Sequence, residues 1–402
     1  MSEFVPASRV SRIKSSASVA AAARVRELKA EGRRILDLTV GEPDFDTPEH
    51  IKAAAVEAIR RGETKYTSVT GTPELQKAIL QTLEQRTGLH YTPAEITIGG
   101  GAKQVIFTAF MASLDAGDEV IVPAPYWVSY PDMVLANEGT PVVVSCGEDV
   151  GFKLTPEALA GAITDRTKWV ILNAPSNPTG AVYSRAELRA LADVLAGYPH
   201  VHVLTDEIYD QIYFGDGKLT SLVEGAPELK DRILAVNGVS KAYAMTGWRL
   251  GYAAGPAPVI AAINKLQSQI SSCPSSVSQA ATVAALTGDQ GFVLDSLEVY
   301  RKRRDTAVAA LNAVDGLSCT TPEGAFYAYV NCAGVIGKST PDGAVISNDQ
   351  DFTLYLLEAA SVAVIQGSAY GLGPYFRISY ATSLDIIEES IAAIDKAVQA
   401  LN

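Results

Sequence analysis

Apolar residues follow two alternating patterns between residues 48 and 300 of the chain. Short runs that are almost wholly apolar alternate with longer segments whose apolar residues recur with helical spacing. Continuous apolar runs of this length are typical of strands that are buried on both faces of a parallel sheet. The predicted strands cover residues 95–98, 119–122, 141–145, 169–172, 202–205, 233–236 and 250–253.

The segments between these runs carry helix signals at their ends. A helical pattern over 51–61 stops at Gly62, and a second over 73–86 is followed after a short tail by Gly88. Glycine ends helices because it adopts the left-handed conformation without strain. The repeated strand–helix alternation predicts an α/β fold, a three-layer sandwich with a mostly parallel central sheet, as a large domain over residues 48–300.

The two ends of the chain follow a different pattern. Residues 18–30 are expected to form a helix, 35–39 a strand and 297–311 a charged helix. A polar stretch over 334–350 contains glycine and proline and is expected to be an exposed loop. The sequence therefore predicts a smaller α+β domain made from both ends, residues 1–47 and 301–402.

Composition narrows the class of protein. The 402 residues are 48% hydrophobic and 19% charged, which is ordinary for a globular protein with two cores. A net charge of −12 argues against nucleic acid and anionic membranes as partners. The first ten residues lack a signal-peptide core, and four scattered cysteines form no Cys-x-x-Cys pair, so a cytoplasmic location is expected. The four histidines form no cluster, and no metal is expected.

Lys241 is the first candidate for chemistry. It is surrounded in sequence by small and apolar residues, with Ser240 before it and Arg249 eight positions after it. A lysine is most often a solvated surface charge, but one that loses hydration has a reactive amine near neutral pH. Such an amine forms Schiff bases with aldehydes, including that of pyridoxal phosphate. The planar fork of Arg249 suits a phosphate.

Asp206 ends the predicted strand 202–205, at the strand end where ligands bind in open α/β sheets. The residue could simply cap a helix. A partly buried carboxylate instead needs a cationic partner, and a protonated pyridine nitrogen would be one. Tyr209, three residues on, could donate to a phenolic oxygen of the same ring.

Three further segments lie at strand ends. Gly99-Gly100-Gly101 opens a helix and can bind an anion; a dinucleotide would also fit, but no acidic residue ends a second strand at the expected spacing. Trp127 offers a stacking surface for a heteroaromatic ring, although a tryptophan is commonly core. Asn177 lies in an Asn-Pro segment that could be a simple turn.

Together these segments resemble class I aminotransferases, pyridoxal-phosphate enzymes of fold type I, in the family's order and over essentially the whole chain. The resemblance implies that Lys241 carries the cofactor and that Asp206 keeps its ring nitrogen protonated. Tyr209 and Asn177 then contact the phenolic oxygen, and Trp127 covers the ring. The phosphate contacts it implies are Gly101, Ala102, Lys103, Ser240 and Arg249.

The resemblance also implies substrate contacts. Arg377 lies in an apolar run, which is costly without an anion, and would clamp the substrate α-carboxylate with help from Gly41; a buried structural ion pair is the alternative. Trp127 and Asn177 would lie beside the substrate. Tyr66 matches a tyrosine that in relatives reaches the phosphate of the neighbouring subunit, which implies a homodimer with shared active sites.

The identity of the amino acid is a separate question. One aspartate aminotransferase subgroup binds the distal carboxylate with an arginine of the other subunit, and this chain has no arginine between Arg249 and Arg301. A second subgroup uses a lysine matching Lys103 and hydroxyls in an N-terminal segment that usually reads Lys-Pro-Ser-Ala-Thr, which makes Ser18 a candidate substrate contact. Here residues 14–18 depart from that segment at Ser15 and Ser18, which could loosen it.

The expected reaction is therefore L-aspartate plus 2-oxoglutarate to oxaloacetate plus L-glutamate by a ping-pong mechanism. Aromatic amino acids or prephenate are alternative substrates on the same scaffold, and β-elimination is a competing reaction. A pyridoxal-phosphate-dependent transcription regulator is disfavoured because fewer than fifty residues precede the large domain. A nicotinamide-dependent oxidoreductase is disfavoured by the missing dinucleotide fingerprint.

Overall fold

The computed structural model describes residues 4–14 and 17–402, except the side chains of residues 17 and 18. The helices are α1 Ser8–Arg12, α2 Ala17–Ala30, α3 Glu49–Arg60, α4 Pro73–Thr87, α5 Ala102–Ser113, α6 Tyr130–Ala136, α7 Pro156–Ala162, α8 Arg185–Ala196, α9 Leu222–Gly225, α10 Ala257–Ile270, α11 Ser276–Thr287, α12 Gly291–Asn312, α13 Asp349–Ala359 and α14 Leu384–Gln399. The strands are β1 Leu36–Asp37, β2 Ile96–Gly99, β3 Glu119–Ala124, β4 Thr140–Ser145, β5 Thr167–Asn173, β6 His202–Asp206, β7 Ile233–Gly238, β8 Gly251–Ala254, β9 Ser318–Cys319, β10 Tyr327–Asn331, β11 Val362–Ala363, β12 Ile365–Gln366 and β13 Tyr375–Ser379.

A seven-stranded sheet in the order β2-β8-β7-β6-β5-β3-β4 forms the centre of the larger part. Strands β7, β6, β5, β3 and β4 pair in parallel, and β8 runs antiparallel to both of its neighbours. All seven predicted strands are present, each within two residues of its predicted bounds. The edge strand β4 is largely half-buried or exposed, because it has a neighbouring strand on one side only.

Helices cover both faces of this sheet, as the burial of β5 shows. Val170 and Leu172 pack into a core with Leu188 and Leu191 of α8. The alternate residues of the same strand, Trp169 and Ile171, pack into a different core that includes Val105 and Ile106 of α5. Because successive side chains of a strand point to opposite faces, the sheet is the middle of three layers.

The predicted helices are also present. Thr72 caps α4 by accepting a hydrogen bond from the backbone N–H of Leu75 at 3.2 Å, and Pro73 occupies the first turn. Gly88 ends the same helix at a φ of 73°. Gly62, with a φ of 76°, follows α3 in the same way.

The second part of the molecule is α+β and draws on both ends of the chain. Strands β12, β13, β10 and β9 form an antiparallel sheet, and β1 pairs in parallel with β11, so Leu36 lies opposite Val362. The strand expected over 35–39 is shorter, only Leu36–Asp37. The proposed domain boundary at residue 300 falls inside α12 and remains a prediction.

The segment 334–350 is largely exposed, as expected, but its last two residues already belong to α13. Across residues 4–14 and 17–402, no helix is both long enough and apolar enough to cross a membrane.

Candidate active site

A cavity of about 310 Å³ lies where the central strands β5, β6 and β7 end and the smaller sheet approaches them. It is lined by most of the residues that the sequence singled out, although these come from segments far apart in the chain. They are Gly41, Ala102, Lys103, Trp127, Asn177, Asp206, Tyr209, Ser240, Lys241, Arg249 and Arg377.

Lys241 follows β7, and its amine points into this cavity. Its Nζ donates a hydrogen bond to the carbonyl oxygen of Gly41 and lies 5.9 Å from the ring centroids of Tyr209 and Phe326. Within the described residues it forms no ion pair. Burial lowers the pKa of Lys241 to about 8, against the opposing attraction of Glu42. An amine with this pKa has a far larger neutral, nucleophilic fraction near physiological pH than an ordinary lysine.

Asp206 is the last residue of β6 and is 5% exposed. Its Oδ2 accepts a hydrogen bond from the Tyr130 hydroxyl at 2.7 Å, and its Oδ1 accepts one from the backbone N–H of Ile208 at 3.3 Å. No lysine, arginine or histidine of the described chain forms an ion pair with it. Burial raises the pKa of Asp206, against the opposing effects of the Tyr130 hydrogen bond and of Lys241. A buried carboxylate without a cation is a place for a cationic group of a ligand.

An anion cradle lies at the start of α5. Gly101 has a φ of 101°, and a Cβ there would lie 2.4 Å from Nη2 of Arg249; a Cβ on Gly251 would lie 2.2 Å from the backbone nitrogen of Ala102. Only glycine therefore lets Arg249 and β8 approach the first turn of the helix. No side chain caps that turn, so its N–H groups can bind a ligand.

Lys103 brings a second cation to this end of the cavity. Its Nζ lies 4.7 Å from the ring centroid of Trp127, and burial followed by repulsion from Arg249 lowers the pKa of Lys103. Neither Lys103 nor Arg249 forms an ion pair within the described residues. Two uncompensated cations beside a helix N-terminus suit an anionic ligand.

Arg377, on β13, is 2% exposed. Its Nη1 donates to Oδ1 of Asn177 at 3.0 Å and its Nη2 to the carbonyl oxygen of Thr39 at 2.7 Å, whereas its Nε is buried without a partner. The guanidinium lies 4.3 Å from the ring centroid of Tyr327. In the part of the chain that the structure describes, Arg377 has no acidic partner, which disfavours the structural ion pair and leaves its charge available to a carboxylate.

Two predicted residues are placed differently from the rest. Tyr66 is 91% exposed and does not line the cavity of its own chain; it lies on a separate surface groove of about 650 Å³. The side chain of Ser18 lies outside the described residues.

Sequence reasoning missed three residues of the site. Asn173 is the last residue of β5 and lies opposite Asp206 in the sheet. Its side chain links Asp206 to Asn177: Nδ2 donates to the Asp206 carbonyl oxygen at 2.9 Å, and Oδ1 accepts from the Asn177 N–H at 2.8 Å. The strand-end rule that selected Asp206 would also have found it. Tyr130 and Tyr327 carried no such signal, because a tyrosine in an apolar segment is usually core.

Comparison with known proteins identifies the family of this chain. The family profile described as aminotransferase class I and II matches residues 33–394. This chain belongs to that family. Two relatives of the aminotransferase cover nearly its whole length. An aspartate aminotransferase of Rhizobium meliloti (strain 1021) is 54% identical over 399 residues, 99% of this chain and 97% of that protein. An aspartate/prephenate aminotransferase of Cereibacter sphaeroides is 52% identical over 96% of both proteins.

Solved structures show the same fold. The crystal structure of the Rhizobium meliloti aspartate aminotransferase matches this aminotransferase with a TM-score of 0.97 at 54% identity, over the full length of both chains. The Thermus thermophilus aspartate aminotransferase with maleate matches with a TM-score of 0.90 at 39% identity, over 98% of this chain and all of the other.

Proposed function

We propose that this aminotransferase binds pyridoxal phosphate and transfers the amino group of L-aspartate to 2-oxoglutarate by a ping-pong mechanism. One observation carries the proposal. A single cavity contains a lysine amine of pKa about 8, a buried carboxylate without a cation, and a buried arginine without an anion. Among the described residues none of these three groups forms an ion pair, and a small ligand that binds all of them must carry the complementary groups.

Pyridoxal phosphate has these groups. The phosphate suits the first turn of α5 with Ser240 and Arg249, and the pyridine nitrogen suits Asp206. Tyr209 and Asn177 would contact the phenolic oxygen and Trp127 the ring face. When bound, the cofactor supplies an aldehyde for the substrate amino group and a ring that takes up electrons from the substrate Cα.

The residues of the chain then perform distinct tasks. Lys241 would hold the cofactor through its aldehyde, and its Nζ, once free again, would take the proton from the substrate Cα. Arg377 and the N–H of Gly41 hold the α-carboxylate and so orient the Cα–H bond. Asp206, held by Tyr130, keeps a negative charge where the ring nitrogen requires one.

The assignment of aspartate as the amino donor is supported by Lys103 and by the names of the relatives. Lys103 is a cation that lines the cavity and has no carboxylate partner among the described residues, and a second carboxylate of the substrate would supply one. Prephenate is a second candidate, as the acceptor, because the relative from Cereibacter sphaeroides carries it in its name.

We infer that the active enzyme is a homodimer. Tyr66 is 91% exposed and does not line the cavity of its own chain. A contact with the phosphate of a second subunit would bury its hydroxyl. A mass in solution of twice 42.5 kDa is expected. A monomer with full activity would contradict the shared site.

A cytoplasmic location fits the scattered, unpaired cysteines.

Replacement of the lysine tests the function directly. Lys241→Ala should lose the absorbance of the enzyme-bound cofactor and nearly all transamination, whereas Lys77→Ala, on the exposed side of α4, should retain both. A fully active Lys241→Ala protein would reject the mechanism.

A panel of amino donors with 2-oxoglutarate and oxaloacetate, including prephenate as an acceptor, tests the substrate. If phenylalanine or tyrosine is used more than about tenfold better than aspartate, the assignment of aspartate fails.

A further inference from the structure

Tyr327 is close to three residues of the site: Gly41, Arg377 and Tyr209. It begins β10, where it pairs with Ser379, and its ring lies diagonally across the sheet from Arg377 on β13. It is 1% exposed. A Cβ on Gly41 would lie 2.9 Å from its hydroxyl oxygen, so the chain segment that carries Gly41 passes directly over it.

The hydroxyl of Tyr327 is 2.8 Å from the hydroxyl of Tyr209, and either oxygen can donate. Tyr209 is 4% exposed, and burial raises the pKa of both tyrosines, so both are neutral at physiological pH. Each hydroxyl has one proton to donate. If Tyr209 donates its proton to Tyr327, it has none left for a ligand in the cavity.

We propose that Tyr327 is a positioning residue: its hydroxyl donates to Tyr209 and thereby directs the single proton of Tyr209 toward the phenolic oxygen of the cofactor. This inference rests on the proposed function. Two hydroxyls donating in series also polarise each other, which strengthens the second hydrogen bond by roughly 10–30%. Phenylalanine at position 327 would keep the ring beside Arg377 and remove only the donor.

The readout is the pKa of the enzyme-bound cofactor, measured from its absorbance as a function of pH. A hydrogen bond donated to the phenolic oxygen favours the deprotonated, anionic form and lowers that pKa. Because a hydrogen bond to a charged group is worth about 1–2 pH units, Tyr209→Phe should raise the pKa by about that amount. Tyr327→Phe should raise it by a fraction of this, about 0.1–0.6 pH unit.

The double variant distinguishes a role through Tyr209 from a general disturbance. In the Tyr209→Phe background, Tyr327→Phe should cause no further shift, because the group through which it acts is absent. Tyr329→Phe is the matched control: this tyrosine is buried two residues further along β10, but its hydroxyl donates to the carbonyl oxygens of Gly367 and Leu372. It should leave the cofactor pKa unchanged.

Maleate binding and thermal unfolding of the cofactor-free proteins complete the test. Tyr327→Phe should bind maleate within about twofold of wild type and remain folded, since the ring beside Arg377 is kept. The inference is overturned if Tyr327→Phe causes no shift, if the shift persists without the Tyr209 hydroxyl, or if Tyr329→Phe reproduces it. A wild-type protein without cofactor absorbance would reject the proposed function itself, and the inference with it.

Discussion

The two ends of the cavity are built in different ways. At the end assigned to the cofactor ring, Asp206, Asn173 and Lys241 all come from the carboxyl ends of neighbouring strands or from the turns that follow them. At the end assigned to substrate carboxylates, Arg377 comes from the smaller sheet, Gly41 from the segment after β1, and Lys103 from α5. The residues assigned to the cofactor ring thus come from one sheet, whereas those assigned to the substrate carboxylates come from segments that are far apart in the chain.

This difference predicts different kinetic consequences. A change at the ring end should lower kcat, because it removes an interaction that matters most in the transition state. A change at the carboxylate end should act first on KM and on the choice of substrate. The following variants test that division.

The largest effect is expected at Asp206. Asp206→Asn removes the negative charge opposite the ring nitrogen but keeps the size of the side chain, so kcat should fall by about 100-fold or more while the cofactor still binds. Tyr130→Phe keeps the charge and removes one hydrogen bond, and should cost only about fivefold. Steady-state kinetics with aspartate measures both. Equal losses in the two variants would refute the role assigned to the charge.

Arg377→Lys comes next. A lysine keeps the positive charge but cannot hold a carboxylate with two parallel hydrogen bonds, so kcat/KM for aspartate should fall by about 100-fold, mainly through KM. Arg232→Lys is the matched control, because this arginine donates to the carbonyl oxygens of Tyr198 and Val201 on another part of the molecule. A loss confined to kcat in Arg377→Lys would contradict its role in binding.

Lys241 lies at the ring end, and its burial has a cost to stability that depends on pH. Because its pKa is lowered to about 8 from 10.5, the folded protein without cofactor carries the full cost of the charged amine below pH 8. The unfolded chain keeps the proton between pH 8 and 10.5 while the folded chain loses it, so stability rises with pH over that window.

The comparison with Lys241→Met measures this cost. The cofactor-free variant should be more stable than the cofactor-free wild type by about 2 kcal/mol at pH 7, and the difference should shrink as the pH approaches 10. Denaturant unfolding at several pH values provides the measurement. A difference that does not change with pH would mean that the amine is solvated in the folded protein.

A smaller effect than at Asp206 and Arg377 is expected for Lys103. Lys103→Met should lower kcat/KM for aspartate by about tenfold and leave that for alanine nearly unchanged, because only the distal carboxylate loses a partner. Lys77→Met, an exposed lysine of α4, should change neither value. Equal losses for aspartate and alanine would place Lys103 with the cofactor phosphate alone.

Much of this molecule could be predicted from local sequence. The strands of the central sheet are continuous apolar runs, so all seven were predicted and confirmed. Asp206 and Lys241 were predicted because each follows such a run. The strand at Leu36–Asp37 was predicted too long, because its pairing with β11 involves only two residues, and the sequence around it does not show where its distant partner ends.

The candidate site was harder to predict where a role depends on a contact across the fold. Nothing in the sequence around Tyr327 indicates that its hydroxyl meets that of Tyr209, and nothing around Tyr130 indicates that it donates to Asp206. Both are tyrosines in apolar segments, and such residues are usually packing elements.

The sequence by itself determined the α/β sandwich, the strand ends that carry chemistry and the reactive lysine, because these depend on local apolar patterns and on residue types within a few positions of each other. Only the tertiary structure decided that Arg377 is buried beside Asn177 and Thr39 with no acidic partner among the described residues, and that two tyrosine hydroxyls meet close to Gly41. Those facts depend on how the two sheets approach each other, and a hydrogen bond between distant segments produces no periodic pattern in the sequence.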